Sequence, residues 1–150
     1  MSDVLSTYHL TPQNAALLAV DMQRGFLDVD AAMEVPTGRD AIVPISALAA
    51  EFRRVSAPVV YTRVVWSPNV PNLVGELHPR HKPPISCCME GDPSVEIVDA
   101  LSPQAGDLVV DKHGYDAFHE TRLDYALRSL GRTHLLVTGV MTDVCVLASV

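Results

Sequence analysis

Long apolar runs, basic clusters and paired cysteines are scarce in this sequence, and each shortage removes a class of function. No stretch approaches the roughly 18 apolar residues of a membrane span, and the opening "MSDVLSTYHL" has no basic residue ahead of an apolar core, so neither a membrane partner nor a signal peptide is expected. Lysine and arginine number 11 against 18 aspartates and glutamates, giving a net charge of -7. A nucleic-acid footprint needs the opposite balance, clustered on one face. Three cysteines, two of them adjacent (Cys87 and Cys88), make no disulfide framework, and a reducing cytoplasm is the expected compartment. There is no internal repeat and no low-complexity tract. What remains is an acidic chain of 150 residues, enough for one domain that buries its core without disulfides or metal.

Four short apolar runs are present: 16–20 "ALLAV", 58–65 "PVVYTRVV", 107–111 "DLVVD" and 134–138 "HLLVT". They do not alternate polar with apolar, which is the pattern of strands covered on both faces. Helical patterns lie between them. In 40–55, Ile42, Ile45, Leu48, Phe52 and Val55 form one stripe at three- and four-residue steps. Residues 92–101 read as a helix with Asp92 at the N-cap and Pro93 at the first position. Residues 121–131 place Leu123, Leu127 and Leu130 on one face and stop at Gly131. Strands alternating with helices imply right-handed crossovers and a doubly wound, mainly parallel α/β sheet in three layers. The Pro-rich stretch 66–92 has no sustained period and reads as a lid or specificity loop beyond a strand end, or as an ordinary surface excursion.

Three strand ends carry chemistry. "LLAVD" ends in Asp21, "LVVDK" runs into Lys112, and "LLVTGVMTDVC" leads to Cys145. Parallel strands put such ends on one edge. A thiol is a weak nucleophile until ionised, and a neighbouring ammonium lowers its pKa. A carboxylate there can take the thiol proton and hand it to a leaving amine. Taken singly, each residue has a plainer reading: Cys145 as a small buried hydrophobe, Asp21 as a turn residue, Lys112 as a solvated surface lysine.

Together, "AVDMQRGF", "DKHGYDAF" and "GVMTDVC" resemble the three active-site motifs of the isochorismatase-like cysteine hydrolases, which include nicotinamidases and N-carbamoylsarcosine amidases. The similarity runs from Ala15 to Val150, sparse through 66–91 and dense from Glu96 onward. It implies Cys145 as nucleophile, Asp21 as the acid and base, and Lys112 as the cation that steadies thiolate and carboxylate. It implies a cis peptide at Val140–Met141 and an oxyanion hole from the backbone N–H groups of Met141 and Cys145. Phe26 would form a pocket wall, with Trp66 beside it. Arg63 would hold a substrate carboxylate or stay solvated, and Phe118 fits core and pocket alike. Asp143 reads as a cap of the following helix, and Asp116 stands where many relatives have serine.

Nicotinamidases carry an Asp-x-His metal pair just after the second strand; here that place reads "YTRVVWSPN". His78 and His81, followed by Cys87 and Cys88, are spaced irregularly among prolines, so no metal and no cofactor are expected. Isochorismatases proper lack the nucleophilic cysteine, so Cys145 points to a small linear amide or carbamoyl substrate. A homodimer or homotetramer is implied by relatives. The chain stops five residues after Cys145, where the family continues, so a single domain (1–150) incomplete at its C-terminus is expected. The alternative of another class is a non-catalytic binding or assembly module.

Overall fold

The computed structural model describes residues 9–70 and 87–150. Four strands form its centre: β1 (Ala15–Val20), β2 (Val59–Val64), β3 (Leu108–Lys112) and β4 (His134–Gly139). They lie in the order β3-β2-β1-β4, and every pairing is parallel. The chain builds outward from β1 to β3 and then returns to the other side of β1. The order therefore reverses between β1 and β4, the crevice where ligands settle in open α/β sheets. All six residues of β1 are buried, as its unbroken apolar sequence requires.

Two helices cover opposite faces. The first of these, α2 (Ile42–Arg54), turns Ile45 and Ala49 onto a core holding Leu17, Ala19, Val59 and Tyr61. Its Pro44 lies in the first turn, where the missing N–H would have no helical partner anyway. On the other face α3 (Leu123–Ser129) packs Leu123 and Leu127 against Ala16, Leu18, Val20, Val60 and Val110. A single short turn, α1 (Arg24–Leu27), follows β1. Each fully buried Leu or Val in these two cores stabilises by about 1.5–3 kcal/mol, so the sheet is the rigid platform of the molecule.

Three sequence expectations need revision. Residues 92–101 are not one helix but two 3₁₀ turns, Pro93–Val95 and Asp99–Leu101. Asp92 does cap, accepting from Ser94 N, but the next backbone groups are claimed elsewhere. Arg24 N donates to Glu96 O, Val98 N donates to Met22 O, and the Gln23 side chain donates to Val95 O, which holds 96–98 extended. Leu130 is exposed, because α3 closes before it through a Schellman pair, Gly131 N to Arg128 O and Arg132 N to Leu127 O. Gly131 supplies the positive φ of 67° that this closure needs. Asp143 makes no capping hydrogen bond; the turn it sits in has Met141 at its start.

The ends of the 66–92 stretch are stitched together: Trp66 N donates to Cys88 O and Glu90 N donates to Trp66 O. Residues 71–86, the middle of the stretch expected to be a lid or specificity loop, lie outside the described residues.

Candidate active site

Asp21 is the first residue beyond β1, and its φ of 50° is left-handed, a conformation aspartate tolerates better than most side chains. The turn leaves its carboxylate fully buried. Thr62 of β2 clamps it twice: the hydroxyl donates to Asp21 Oδ1 at 2.6 Å and accepts from Asp21 N at 3.1 Å. Lys112 ends β3, two strands away. Neighbouring strands lie about 4.8 Å apart, so only a side chain as long as lysine reaches from β3 across β2. Its Nζ lies 2.8 Å from Asp21 Oδ2, with both side chains at 0% exposure. That oxygen receives no well-directed hydrogen bond, so the contact is an ion pair met off-axis. The directed bonds of the ammonium go to Gly114 O at 2.9 Å and Tyr115 O at 3.0 Å, which folds the chain after β3 around the lysine.

Cys145 arrives from β4. Gly139 has φ 115°, and a Cβ there would overlap the backbone of Val20, so only glycine lets β4 and β1 run this close at their ends. Val140 N then donates to Val20 O, and the Val140–Met141 peptide is cis. A π-helical turn, Thr142–Val146, carries Cys145 at 6% exposure into the same buried cluster as Val20 and Val110. Among the described residues the Met141 N–H donates to no backbone or side-chain acceptor.

Burial, first, and the Asp21 carboxylate, second, push the Cys145 thiol up to about 12, against the opposing pull of Lys112. Lowering by the ammonium was the sequence expectation, and that effect is present but outweighed. The reason is that Lys112 is already paired. A neutral Asp–Lys couple offers little net field to a thiolate, while desolvation opposes it fully. The Cys145 thiol is therefore held in its protonated form at neutral pH, beside the Asp21–Lys112 pair.

The remaining candidates divide between the two faces. Phe26, Trp66, Val140 and Met141 gather on the α2 side, with Phe26 and Trp66 each at 5% exposure. Phe118 packs on the α3 side with the cluster that includes Cys145. Arg63 is not brought to the cysteine. It follows Thr62 on β2 and so turns to the opposite face, where its guanidinium grips Asp111 at 2.7 and 3.0 Å, with Glu96 beside it at 3.4 Å. Asp116 accepts from Phe118 N at 2.8 Å, closing a small turn ahead of that residue. Sequence reading missed Thr62 and Gln23. Both are polar residues inside apolar surroundings, and Gln23, fully buried, bonds Val64 N, Val64 O and Val95 O. A threonine in a fully covered strand was the available signal.

Residues 15–150 match the family described as isochorismatase domain. The chain belongs to that family. Over 155 aligned residues it is 34% identical to the ureidoacrylate amidohydrolase of Pantoea ananatis, covering 91% of this chain and 62% of that one. Among solved structures it resembles a cysteine hydrolase from Pseudomonas syringae pv. phaseolicola at 31% identity and a TM-score of 0.86, covering 93% of this chain and 65% of the other. It also resembles the N-carbamoylsarcosine amidase of Thermoplasma acidophilum, at 30% identity and a TM-score of 0.77, over 91% and 73% of the two chains. The chain thus spans less than two thirds of the length of the Pantoea and Pseudomonas relatives.

A pyrazinamidase of Pyrococcus horikoshii, 29% identical, has been solved with zinc. The position after β2 where a metal pair was sought holds Val65 and Trp66, neither of which offers a metal donor side chain. Among the described residues no three His, Cys, Asp or Glu gather as a ligand set. Val65 and Trp66 therefore do not fit a metal. His78 and His81 lie outside the described residues.

Proposed function

We propose that this protein is a cysteine amidohydrolase that cleaves the C–N bond of a small linear amide or a carbamoyl (ureido) compound. The observation that carries the reading is the fully buried Asp21–Lys112 pair, set beside a buried cysteine at the topological switch point. A buried ion pair is a costly feature for stability alone, and clusters of this kind concentrate where chemistry needs them. Relatives whose names specify ureidoacrylate and N-carbamoylsarcosine supply the substrate class.

In the cycle, the Cys145 thiol gives its proton to Asp21 as sulfur bonds to the substrate carbonyl carbon. The oxyanion forms facing the N–H groups of Met141 and Cys145, donors of a kind worth about 3–4 kcal/mol each. Asp21 then returns the proton to the leaving nitrogen, the C–N bond breaks, and ammonia or an amine departs from a thioester. Water enters, gives a proton to Asp21 and attacks the thioester; the second oxyanion collapses, and sulfur leaves and regains its proton. Lys112 holds Asp21 in place and balances whichever anion is present. Phe26, Trp66 and Phe118 form the apolar walls, and the active form is a homodimer or homotetramer.

Ammonia release is the test. Ureido acids and N-carbamoyl amino acids come first, followed by short amides, biuret-like compounds and nicotinamide, each against Cys145→Ala. Release from a ureido or carbamoyl compound that disappears in the variant is the expected result. A folded protein that releases nothing and forms no acyl adduct at Cys145 would replace this reading with a non-catalytic binding or assembly module.

A further inference from the structure

The π-helical turn that delivers Cys145 leaves a backbone group to be satisfied. In a continuing α-helix the Cys145 carbonyl would accept from Ser149 N, but Ser149 N donates to Val146 O instead. The Ser149 hydroxyl takes over, donating to Cys145 O at 2.7 Å. The Ser149 hydroxyl oxygen in turn accepts from Ala117 N at 2.9 Å, across 32 residues of sequence. Ser149 is 5% exposed and Ala117 fully buried, so water does not compete for either bond. Ala117 lies two residues beyond Tyr115, whose carbonyl accepts from the Lys112 ammonium. One connected path therefore runs from Lys112 through its own loop to the hydroxyl of Ser149 and on to the backbone of the cysteine.

We propose that Ser149 is a positioning residue of this site, fixing the turn that carries Cys145 against the loop that holds Lys112. The proposal rests on reading Cys145 as the nucleophile and goes beyond that reading by assigning what sets its distance from the ion pair. Neither neighbouring backbone group can do this alone: Cys145 O and Ala117 N reach each other only through the hydroxyl, which serves both as donor and as acceptor. Alanine removes both bonds at once, whereas threonine keeps both.

The test reads the thiol itself. The rate of iodoacetamide alkylation at Cys145, followed by peptide mass spectrometry so that Cys87 and Cys88 do not contribute, is measured against pH for wild type, Ser149→Ala and Ser149→Thr. Burial is the main cause of the high thiol pKa, so loosening the turn in Ser149→Ala should bring the inflection down from about 12 toward the ordinary value of 9. Amide hydrolysis should fall about 10- to 100-fold in kcat with little change in KM, the loss expected when reacting groups shift by about 1 Å. Ser149→Thr should restore both. Ser149→Ala with an unchanged inflection, whatever its melting temperature, overturns the proposal, as does failure of threonine to rescue. Should the alanine variant not fold, Ser149→Cys, a weaker donor, is expected to fall between serine and alanine, and a wild-type profile there is equally fatal. Absence of hydrolysis in the wild type would sink the amidohydrolase reading alone, because the alkylation profile needs no substrate.

Discussion

Replacing Asp21 by asparagine separates the two duties assigned to the carboxylate, because it keeps the shape and the Thr62 contact and removes only the charge. The 2.8 Å contact with Lys112 corresponds to a gross attraction of about 6 kcal/mol at an effective dielectric of 20. Experience with buried pairs puts the net cost of breaking one at about 3–5 kcal/mol. Here the lower end is expected, since the ammonium retains Gly114 O and Tyr115 O. The second consequence is opposite in character. Without Asp21 the nearest charge to Cys145 is the ammonium, now unpaired, and the thiolate becomes its natural counter-ion. A unit charge at contact distance is worth about 4 kcal/mol at that dielectric, or about 3 pH units of ionisation. The thiol, held up to about 12 in the intact site, should therefore ionise near 9 or below.

The assay is iodoacetamide alkylation of Cys145 from pH 7 to 11, run beside ammonia release from a ureido substrate. Wild type should alkylate ever faster through pH 11 without levelling. Asp21→Asn should level near pH 9 and be the more reactive protein at neutral pH, yet hydrolyse substrate about 10²- to 10⁴-fold more slowly for want of its acid and base. A more reactive thiol in a less active enzyme is the combination that the geometry demands. An unchanged alkylation profile, or hydrolysis within tenfold of wild type, would refute the assignment of Asp21 as the group that receives the thiol proton.

Other outcomes follow from the same contacts. Lys112→Met should cost about 3–5 kcal/mol in denaturant unfolding, since it leaves a fully buried carboxylate without its cation; a loss below about 1 kcal/mol would mean the pair is not formed. Thr62→Val preserves shape but strands Asp21 Oδ1 and Asp21 N, and should cost about 1–3 kcal/mol with a fall in kcat, while Thr62→Ser restores both. The raised thiol pKa also has a linkage consequence. Its contribution to stability is complete below the ordinary value of 9 and is lost as pH rises toward 12, because the unfolded chain ionises first. Between those limits wild type should lose stability more steeply than Cys145→Ser, by up to about 1.4 kcal/mol per pH unit, and parallel curves would contradict the burial of a neutral thiol.

Much of this architecture was legible because the strands obey a simple rule. An unbroken apolar run such as "ALLAV" suits a strand covered on both faces, and β1 lies fully buried between β2 and β4. The meeting of Asp21, Lys112 and Cys145 followed from parallelism, which gathers strand ends on one edge whatever their separation in sequence. Residues 92–101 misread for an equally physical reason. Their N-terminal signals, Asp92 and Pro93, were right locally, but Gln23 and Arg24 compete for the carbonyls and win, and no local pattern reveals a competitor about 70 residues away. The face of Arg63 was legible in principle, since a period of two separates it from Thr62. Its partners Asp111 and Glu96 were not, because they depend on the register of β3 against β2.

The net direction of the Cys145 shift is the lesson that pairwise reading of motifs misses. A lysine near a cysteine suggests an activated thiolate, and an aspartate near a cysteine suggests a base; both suggestions are sound alone, but the charges of the two partners cancel when they pair at 2.8 Å. In the proposed cycle that cancellation is useful. A permanently ionised thiolate would be open to oxidation and to adventitious electrophiles, whereas a thiol that ionises only as its proton moves to Asp21 is nucleophilic chiefly when a carbonyl is in place. After that transfer Asp21 is neutral and the negative charge has moved to sulfur, and then to the oxyanion, with Lys112 still beside it. The total charge of the site never changes during acylation. In a pocket where the side chains of the pair have no exposure to water, moving a charge between fixed partners is far cheaper than creating one.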